Sequence, residues 1–387
     1  MGNSLEVSSS ESNNGLSPVG LSELESILND ALKSQGKLID SRSQILGEGK
    51  GFMSVVTRVK LEWDLEQSKG AQKLPQSVII KRPTTSKVKE LGDEFASLVT
   101  DDTIQKLHND EVEIYRLLSK SSPLKIPRCY HLEKMTTTSK GMIIMEDLTQ
   151  VACSTNFLEY LPLHKIEVLL DSIASLQAFS IKNDCWRKSA GNVHITLNQQ
   201  LADIYPESAE YTMAKFGNRV HIDPQKSVIL LESFKKLSEE FADPEKFGHF
   251  PVLSHGDFQP NNILWKKTKT GTPSDDLVAI IDFQVQHESI PCEDVGTVLL
   301  LYLQPDLRKT EENRLLEHFY QKLVRKMAPK IVPFSLEEIK KSYDDLKVFI
   351  AVILISFCRS MIEIFEIPNI EEVFLTHVNS LLDDIFE

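Results

Sequence analysis

The stretch Ser254-His255-Gly256-Asp257-Phe258-Gln259-Pro260-Asn261-Asn262-Ile263-Leu264-Trp265, with Ile280-Ile281-Asp282-Phe283-Gln284 after it, holds three groups whose types and spacing suit one chemistry. A carboxylate and a carboxamide, Asp257 and Asn262, stand in the pattern H-x-D-x-x-x-x-N, and a second carboxylate, Asp282, ends the next apolar run. Phosphoryl transfer from ATP to a hydroxyl uses such a set. One Asp accepts the proton of the attacking hydroxyl, and the hard oxygens of an Asn and a second Asp hold Mg²⁺ against the phosphates. The spacing fits H-x-D-x-x-x-x-N … D-F-x. A plainer reading also fits: His255-Gly256-Asp257 is a turn, and Asp282 ends a strand and caps the next segment. Order along the chain separates the two, because phosphoryl transfer of this kind also calls for a glycine loop, a strand lysine and a helix glutamate upstream.

Each has a candidate. Ile45-Leu46-Gly47-Glu48-Gly49-Lys50-Gly51-Phe52-Met53-Ser54-Val55 reads as a strand, three alternating glycines (Gly47, Gly49, Gly51) and a second strand. Glycines let backbone N–H groups approach phosphates closely, although a plain hairpin turn would look the same. The segment lacks the G-K-[ST] ending of a P-loop. A third strand, Ser77-Val78-Ile79-Ile80-Lys81-Arg82-Pro83, places Lys81 at the end of a buried-looking run, where an ammonium needs solvent or a partner. A helix from about Thr103 to Lys120 offers one. Glu111 falls on the apolar stripe made by Leu107, Ile114, Tyr115 and Leu118, whereas Glu113 faces solvent. The alternative is a partly exposed Glu111 that serves only the helix surface. Gly141-Met142-Ile143-Ile144-Met145-Glu146-Asp147-Leu148 is an apolar strand running into an acidic turn, and near Glu146 and Leu148 backbone groups could hydrogen-bond adenine.

With 387 residues, 41% hydrophobic and 26% charged, the chain has the composition of a soluble globular protein and length enough for two lobes. A net charge of −13 argues against nucleic acid or an anionic membrane as the main partner. The five cysteines lack C-x-x-C spacing, so a reducing, cytoplasmic setting is expected, with neither a disulfide framework nor a zinc site. The longest apolar run, Val348 to Cys358, falls short of the ~20 residues that span a bilayer and reads as a buried helix.

In chain order, residues 1–20 read as a disordered tail. A capping box, Ser22-x-x-Glu25, opens a first helix, and residues 21–148 form a small lobe of strands plus helix. Residues 149–387 form a larger helical lobe. Helical patterns occur near Leu163–Ser180 and Lys226–Phe241 with a loop-like, Tyr- and Asn-bearing stretch between, an insertion suited to substrate selection. After Asp282 there is no activation segment ending in A-P-E, which with the insertion speaks against a protein kinase. His287 and Glu288 read as an exposed loop pair or as groups facing substrate, and Asp294 as the N-cap of a helix over Val295–Leu303. Further helices are expected near 311–328, 335–361 and 370–385.

Taken in order, Gly49-Lys50-Gly51-Phe52-Met53-Ser54, Glu111-x-x-x-Tyr115, Met145-Glu146-Asp147-Leu148, His255-Gly256-Asp257 with Asn261-Asn262-Ile263, Ile281-Asp282-Phe283-Gln284 and Pro291-x-x-Asp294 resemble one family. It is that of the choline-kinase-like and aminoglycoside-phosphotransferase-like small-molecule kinases, with the nearest likeness to the ecdysteroid-kinase-like group and its nematode branch. The resemblance implies an α+β, bilobal protein-kinase-like fold: a small N-lobe with an antiparallel sheet plus helix, and a larger α-rich C-lobe. It implies Asp257 as base, Asn262 and Asp282 as metal ligands, and Lys81 with Glu111 as the phosphate clamp. ATP and Mg²⁺ are the implied cofactors, and the acceptor is a small-molecule hydroxyl of sterol-like, choline-like or xenobiotic type. Gln177 departs from the pattern, since members often carry Leu-His-Ala there. The alternative is a nucleotide-binding pseudokinase or regulatory module without turnover, although such a module has no need of Asp257.

Overall fold

The computed structural model describes residues 19–46, 53–69, 74–85, 99–156, 159–364 and 369–387. The chain forms two compact units, Met1–Lys120 with Ile126–Val151, and Ser121–Lys125 with Ala152–Glu387.

The first unit is built on an antiparallel sheet of five strands. These are β1 (Gln35–Leu46), β2 (Ser54–Lys69), β3 (Ser77–Pro83), β4 (Cys129–Met135) and β5 (Lys140–Glu146), in the order β1-β2-β3-β5-β4. β1 and β2 pair antiparallel, without a shift from Asp40 opposite Glu62 to Leu46 opposite Val56, the strand ends between which the sequence places its glycine loop. Gly47, Gly49 and Gly51 themselves lie outside the described residues, as does most of the expected tail, residues 1–18. Central β3 is flanked on both sides and reads as a nearly unbroken apolar run, as a strand buried on both faces should. Side chains alternate across it. Val78 and Ile80 join the core with Leu24 and Leu28 of α1 (Leu21–Leu32). Ile79 and Lys81 therefore point to the opposite face, and α2 (Asp101–Leu118) packs against β3, β4 and β5.

Two helix starts differ from expectation. α1 begins after Gly20 with no side-chain cap, so Ser22 and Glu25 form no capping box. Glu25 instead accepts the Leu38 N–H at 2.6 Å, a tertiary use of the carboxylate that anchors β1. α2 is capped by Thr100, whose hydroxyl accepts from the Thr103 N–H.

The second unit is mostly helical: α3 (Leu163–Lys182), α4 (Val193–Phe216), α5 (Pro224–Ala242), α6 (Glu293–Tyr302), α7 (Pro305–Met327), α8 (Leu336–Ser356), α9 (Cys358–Ile364) and α10 (Ile370–Phe386). α6 is buried along nearly its whole length, which makes it a core helix against α3 and α8. Short strands carry the loops of interest. β7 (Val252–Ser254) pairs with β10 (His287–Ser289), and β8 (Ile263–Lys267) lies between β6 (Ala152–Cys153) and β9 (Pro273–Ile280). The stretch between α3 and α5, loop-like in sequence, is the 24-residue helix α4. Pro206 inside it, and the small or polar Ala202, Ser208, Ala209 and Thr212 interleaved with Leu201, Tyr205 and Phe216 on its buried face, conceal its periodicity. The expected 335–361 helix divides at Phe357 into α8 and α9.

Candidate active site

In the first unit, β3 and α2 bring Lys81 and Glu111 together. Lys81 Nζ lies 2.9 Å from Glu111 Oε1 and 2.7 Å from Oε2, and both residues are buried. A buried carboxylate is tolerated when paired, and removing one partner of such a pair costs ~3–5 kcal/mol. The helix is held in register by its own polar residues: Asn109 exchanges hydrogen bonds with Met135 N and O, and His108 Nε2 donates to Glu133 O at 2.8 Å. Glu113 faces outward and meets Arg116 at 2.6 Å and Lys134 at 2.8 Å.

The strand end Glu146–Leu148 is anchored by Asp147. Its carboxylate accepts from Arg58 Nε at 2.6 Å, Ser77 Oγ at 2.5 Å and Thr149 N at 2.8 Å. Burial would raise its pKa, but the hydrogen bonds from Ser77, Thr149 and Arg58 outweigh burial and hold it below the usual carboxylate range. The sequence signalled Asp147 only as part of an acidic turn. Glu146 N–H donates to Arg128 O at 2.8 Å, and Leu148 O accepts from Val151 N–H at 3.0 Å.

In the second unit, the loop from β7 to β8 carries Asp257 and Asn262, and Asp282 lies two residues past the end of β9. Asn262 Nδ2 donates to Asp257 Oδ2 at 2.9 Å and to Asp257 O at 3.0 Å. With its amino group so committed, the amide presents Oδ1, an oxygen donor, away from Asp257. β8 and β9 pair at Ile263 and Ile280, and Ile281 N–H donates to Asn262 O at 3.0 Å. Asp282 is therefore one residue beyond the position opposite Asn262. Its φ of +68° is left-handed, a conformation that costs a non-glycine residue and that Asp tolerates better than most.

Backbone groups behind the loop are fixed by two side chains. His255 is fully buried; its Nε2 donates to Ile281 O at 3.1 Å, and its Nδ1 accepts from Asp257 N–H at 3.3 Å. One imidazole thus ties the Asp257 loop to the strand end that carries Asp282. Asp294 accepts from His255 N–H at 2.8 Å and Gly256 N–H at 3.1 Å. This corrects the N-cap expectation. Cys292 precedes α6 and Asp294 lies inside its first turn, so its carboxylate is free to reach across to the loop. Burial, with the Glu293 charge, pushes the Asp294 pKa up to about 6. Gly256 has φ +76°, and a Cβ there would stand 2.4 Å from Val285 O, so the turn requires glycine. Gln177, the departure noted in sequence, donates to Pro291 O at 2.6 Å and supports the approach to α6.

His287 and Glu288 are not an exposed pair. His287 is buried in β10 opposite Ser254, and half-buried Glu288 meets Arg187 at 2.8 Å. Among the described residues no cluster of three or more His, Cys, Asp or Glu side chains forms a metal site. Asn262 and Asp282 do supply hard oxygens from adjacent chain segments, a donor set that suits Mg²⁺ completed by phosphate and water. No described helix is long and apolar enough to cross a membrane.

Comparison with a solved structure supports the fold. A choline kinase from Cryptosporidium parvum Iowa II superposes with a TM-score of 0.50 over 89% of this chain and 88% of its own, at 16% identity. The fold is thus bilobal and kinase-like, an α+β arrangement shared with that small-molecule kinase. The Caenorhabditis elegans protein named "Uncharacterized kinase-like protein D1044.1" is 22% identical over 286 residues, 70% of this chain and 71% of the relative. A second C. elegans protein, "Uncharacterized oxidoreductase dhs-27", is 28% identical over 343 residues. That match takes in 80% of this chain but 40% of the relative, so the chain spans about two fifths of its length, and the name describes the longer protein. A family model, DUF1679, described as "Uncharacterized oxidoreductase dhs-27", matches residues 12–387. With almost its whole length so matched, the chain belongs to the DUF1679 family.

Proposed function

We propose that the chain is an ATP- and Mg²⁺-dependent phosphotransferase acting on an alcohol hydroxyl of a small molecule. The observation that carries this reading is the Asp257–Asn262 pair, fixed on a loop whose backbone is clamped by Asp294 and His255 and tied to the Asp282 strand end. A turn with a capping residue needs none of these constraints.

Asp257 is the base: its carboxylate takes the proton of the acceptor hydroxyl, and the hydrogen bond from Asn262 orients it. Asn262 and Asp282 hold the metal through oxygen. Bound Mg²⁺ supplies charge neutralisation between the phosphates and the developing transition state. Lys81 positions phosphate oxygens, and Glu111 keeps its ammonium in place. At the end of β5 the Leu148 N–H is the donor suited to an adenine edge, since Glu146 N–H is committed to Arg128 O. The glycine loop over residues 47–51 belongs to this reading as a phosphate cover. A sterol-like, choline-like or xenobiotic alcohol is the acceptor class, and a cytoplasmic setting fits the expected use of ATP.

The test is incubation of the chain with ATP, Mg²⁺ and a metabolite extract, followed by mass spectrometry. A product heavier by one phosphate that is missing with Asp257→Asn supports the assignment. ATP binding with no phosphorylated product from any extract would favour a nucleotide-binding module instead.

A further inference from the structure

Behind the Gly256 turn stands a group of side chains that the phosphotransferase reading does not use. His287 is 4% exposed. Its Nδ1 lies 2.8 Å from Val285 O and its Nε2 lies 3.0 Å from Glu293 Oε2. A carbonyl and a carboxylate only accept, so the ring satisfies both contacts only when both nitrogens carry hydrogen. Ser289 Oγ donates to the same Glu293 oxygen. The geometry is therefore that of a buried imidazolium–carboxylate pair.

His194, in the first turn of α4, stacks on this ring with centroids 3.8 Å apart and planes 17° from parallel. Neither His194 nitrogen has a hydrogen-bond partner among the described residues. Burial, with the His287 charge beside it, pushes its pKa down to about 3, so the stack sets a neutral ring on a charged one. The same segments are joined at Gly191 N–H to Gln286 O, 3.1 Å, and Gln286 Nε2 to Ser189 O, 2.6 Å. On its other side His287 pairs with Ser254 at the start of the loop and lies beside Gly256, where an added Cβ would come within 3.0 Å of its Nδ1.

We propose that His287, kept as a buried imidazolium by Glu293, is a positioning residue that fixes the catalytic loop at Gly256 and locks the start of α4 against it through His194. Burial opposes the charge on His287, but Glu293, with the Val285 carbonyl and the Asp294 charge, raises its pKa above the ordinary value. Burial likewise opposes charge on Glu293, and His287, Ser289 and His194 lower its pKa. The titratable groups facing His287 are thus Glu293 and Asp294 on α6 and His194 on α4. The consequence for turnover rests on the phosphotransferase reading, whereas the charge state and the loop order do not.

Three measurements on the full chain test this. In ¹⁵N NMR of the imidazoles, both His287 nitrogens are expected to stay protonated as pH rises through the free imidazole value of ~6.5, and a ring that titrates at or below that value overturns the proposal. Glu293→Gln should move that titration to lower pH. Amide exchange at His255 and Gly256 should accelerate about tenfold or more in His287→Gln, the size expected from one lost charge-assisted hydrogen bond, while β3 exchanges as before. Unchanged exchange at the loop sinks the positioning role. If His287→Gln leaves Glu293 too strained to fold, the double variant His287→Gln with Glu293→Gln removes the unpaired charge and is read the same way. Where the wild type transfers phosphate, His287→Gln should lower kcat with KM for ATP nearly unchanged. Equal loss in kcat and ATP binding, or no loss in either, counts against the proposal. A wild type without turnover removes the phosphotransferase reading and leaves the NMR and exchange results to decide this one.

Discussion

Asp257 and Asn262 face each other at 2.9 Å, and that single contact sets what each substitution should do. Asp257→Asn keeps an oxygen that can accept from Asn262, so the loop should hold its shape while the base is lost. Turnover is expected to fall ~10²–10⁴-fold, the usual contribution of general-base catalysis, with nucleotide affinity nearly unchanged in calorimetric titration. Loss of ATP binding in step with activity would make Asp257 a structural residue. Asp282→Asn retains a side chain that tolerates φ +68°, so the backbone survives and only charge is removed. Activity should then require a much higher Mg²⁺ concentration, whereas Glu113→Gln, at an outward salt bridge, should leave the Mg²⁺ titration where it was. A parallel shift in both variants would point to general destabilisation. Lys81→Met should weaken productive ATP use, and Glu111→Gln should do the same more mildly, because the lysine remains.

At the scale of elements, the loop between β7 and β8 owes its shape to α6. Asp294 reaches it from the first helical turn and accepts two successive backbone N–H groups. Its pKa is raised from 3.8 to about 6. A raised folded-state value means that this group stabilises the fold fully below its unfolded pKa, and that the contribution is lost as pH rises through about 6. Loop order runs the other way, since only the ionised carboxylate accepts both N–H groups. Turnover should therefore decline as pH falls through about 6, without a matching loss of thermal stability from this group. In Asp294→Asn the acid limb should disappear from the pH–rate profile and overall activity should be lower. An unchanged acid limb would assign that ionisation elsewhere. Gly256→Ala must move either the Val285 carbonyl or the turn itself and is expected to disorder the same loop.

Across the second unit, one buried cation joins distant parts of the chain. Arg308 of α7 is 1% exposed; it meets Glu312 at 3.0 Å, Asp384 of α10 at 2.6 Å and Ser380 Oγ at 2.9 Å. Tyr343 of α8 donates to the same Glu312 carboxylate at 2.9 Å. Arg308→Ala takes a buried cation away from two half-buried acids and should cost about 3 kcal/mol, read as a lower midpoint in denaturant unfolding. Arg314→Ala, whose partners Glu311 and Glu167 lie at the surface, should cost under about 1 kcal/mol. Similar costs at the two positions would remove the network from the account of stability.

The sequence by itself determined the strands on either side of the glycine segment, β3, β5, most of the helices and the order of the polar groups that chemistry needs. Local rules suffice there. Lys81 stands at the end of a buried-looking run where an ammonium needs solvent or a partner, and helical spacing put Glu111 on the buried stripe, so their pairing at 2.7 Å was among the contacts local pattern could suggest. H-x-D-x-x-x-x-N is likewise a local signal, because Asp257 and Asn262 belong to one loop. Only the tertiary structure decided the role of groups whose partners are remote in sequence. Asp294 reads as a cap until α6 is seen beside the β7 end. His287 reads as a loop residue until β10 pairs with β7 and buries it, and Gln177 has no visible task until Pro291 arrives against α3. α4 stayed hidden for a related reason: its buried face interleaves Leu201, Tyr205 and Phe216 with Ala202, Ser208, Ala209 and Thr212, and the small and polar members carry too little hydrophobicity to mark a continuous stripe. Pattern fixes which face a side chain takes, but the partner on that face is set by packing between segments that the sequence keeps far apart.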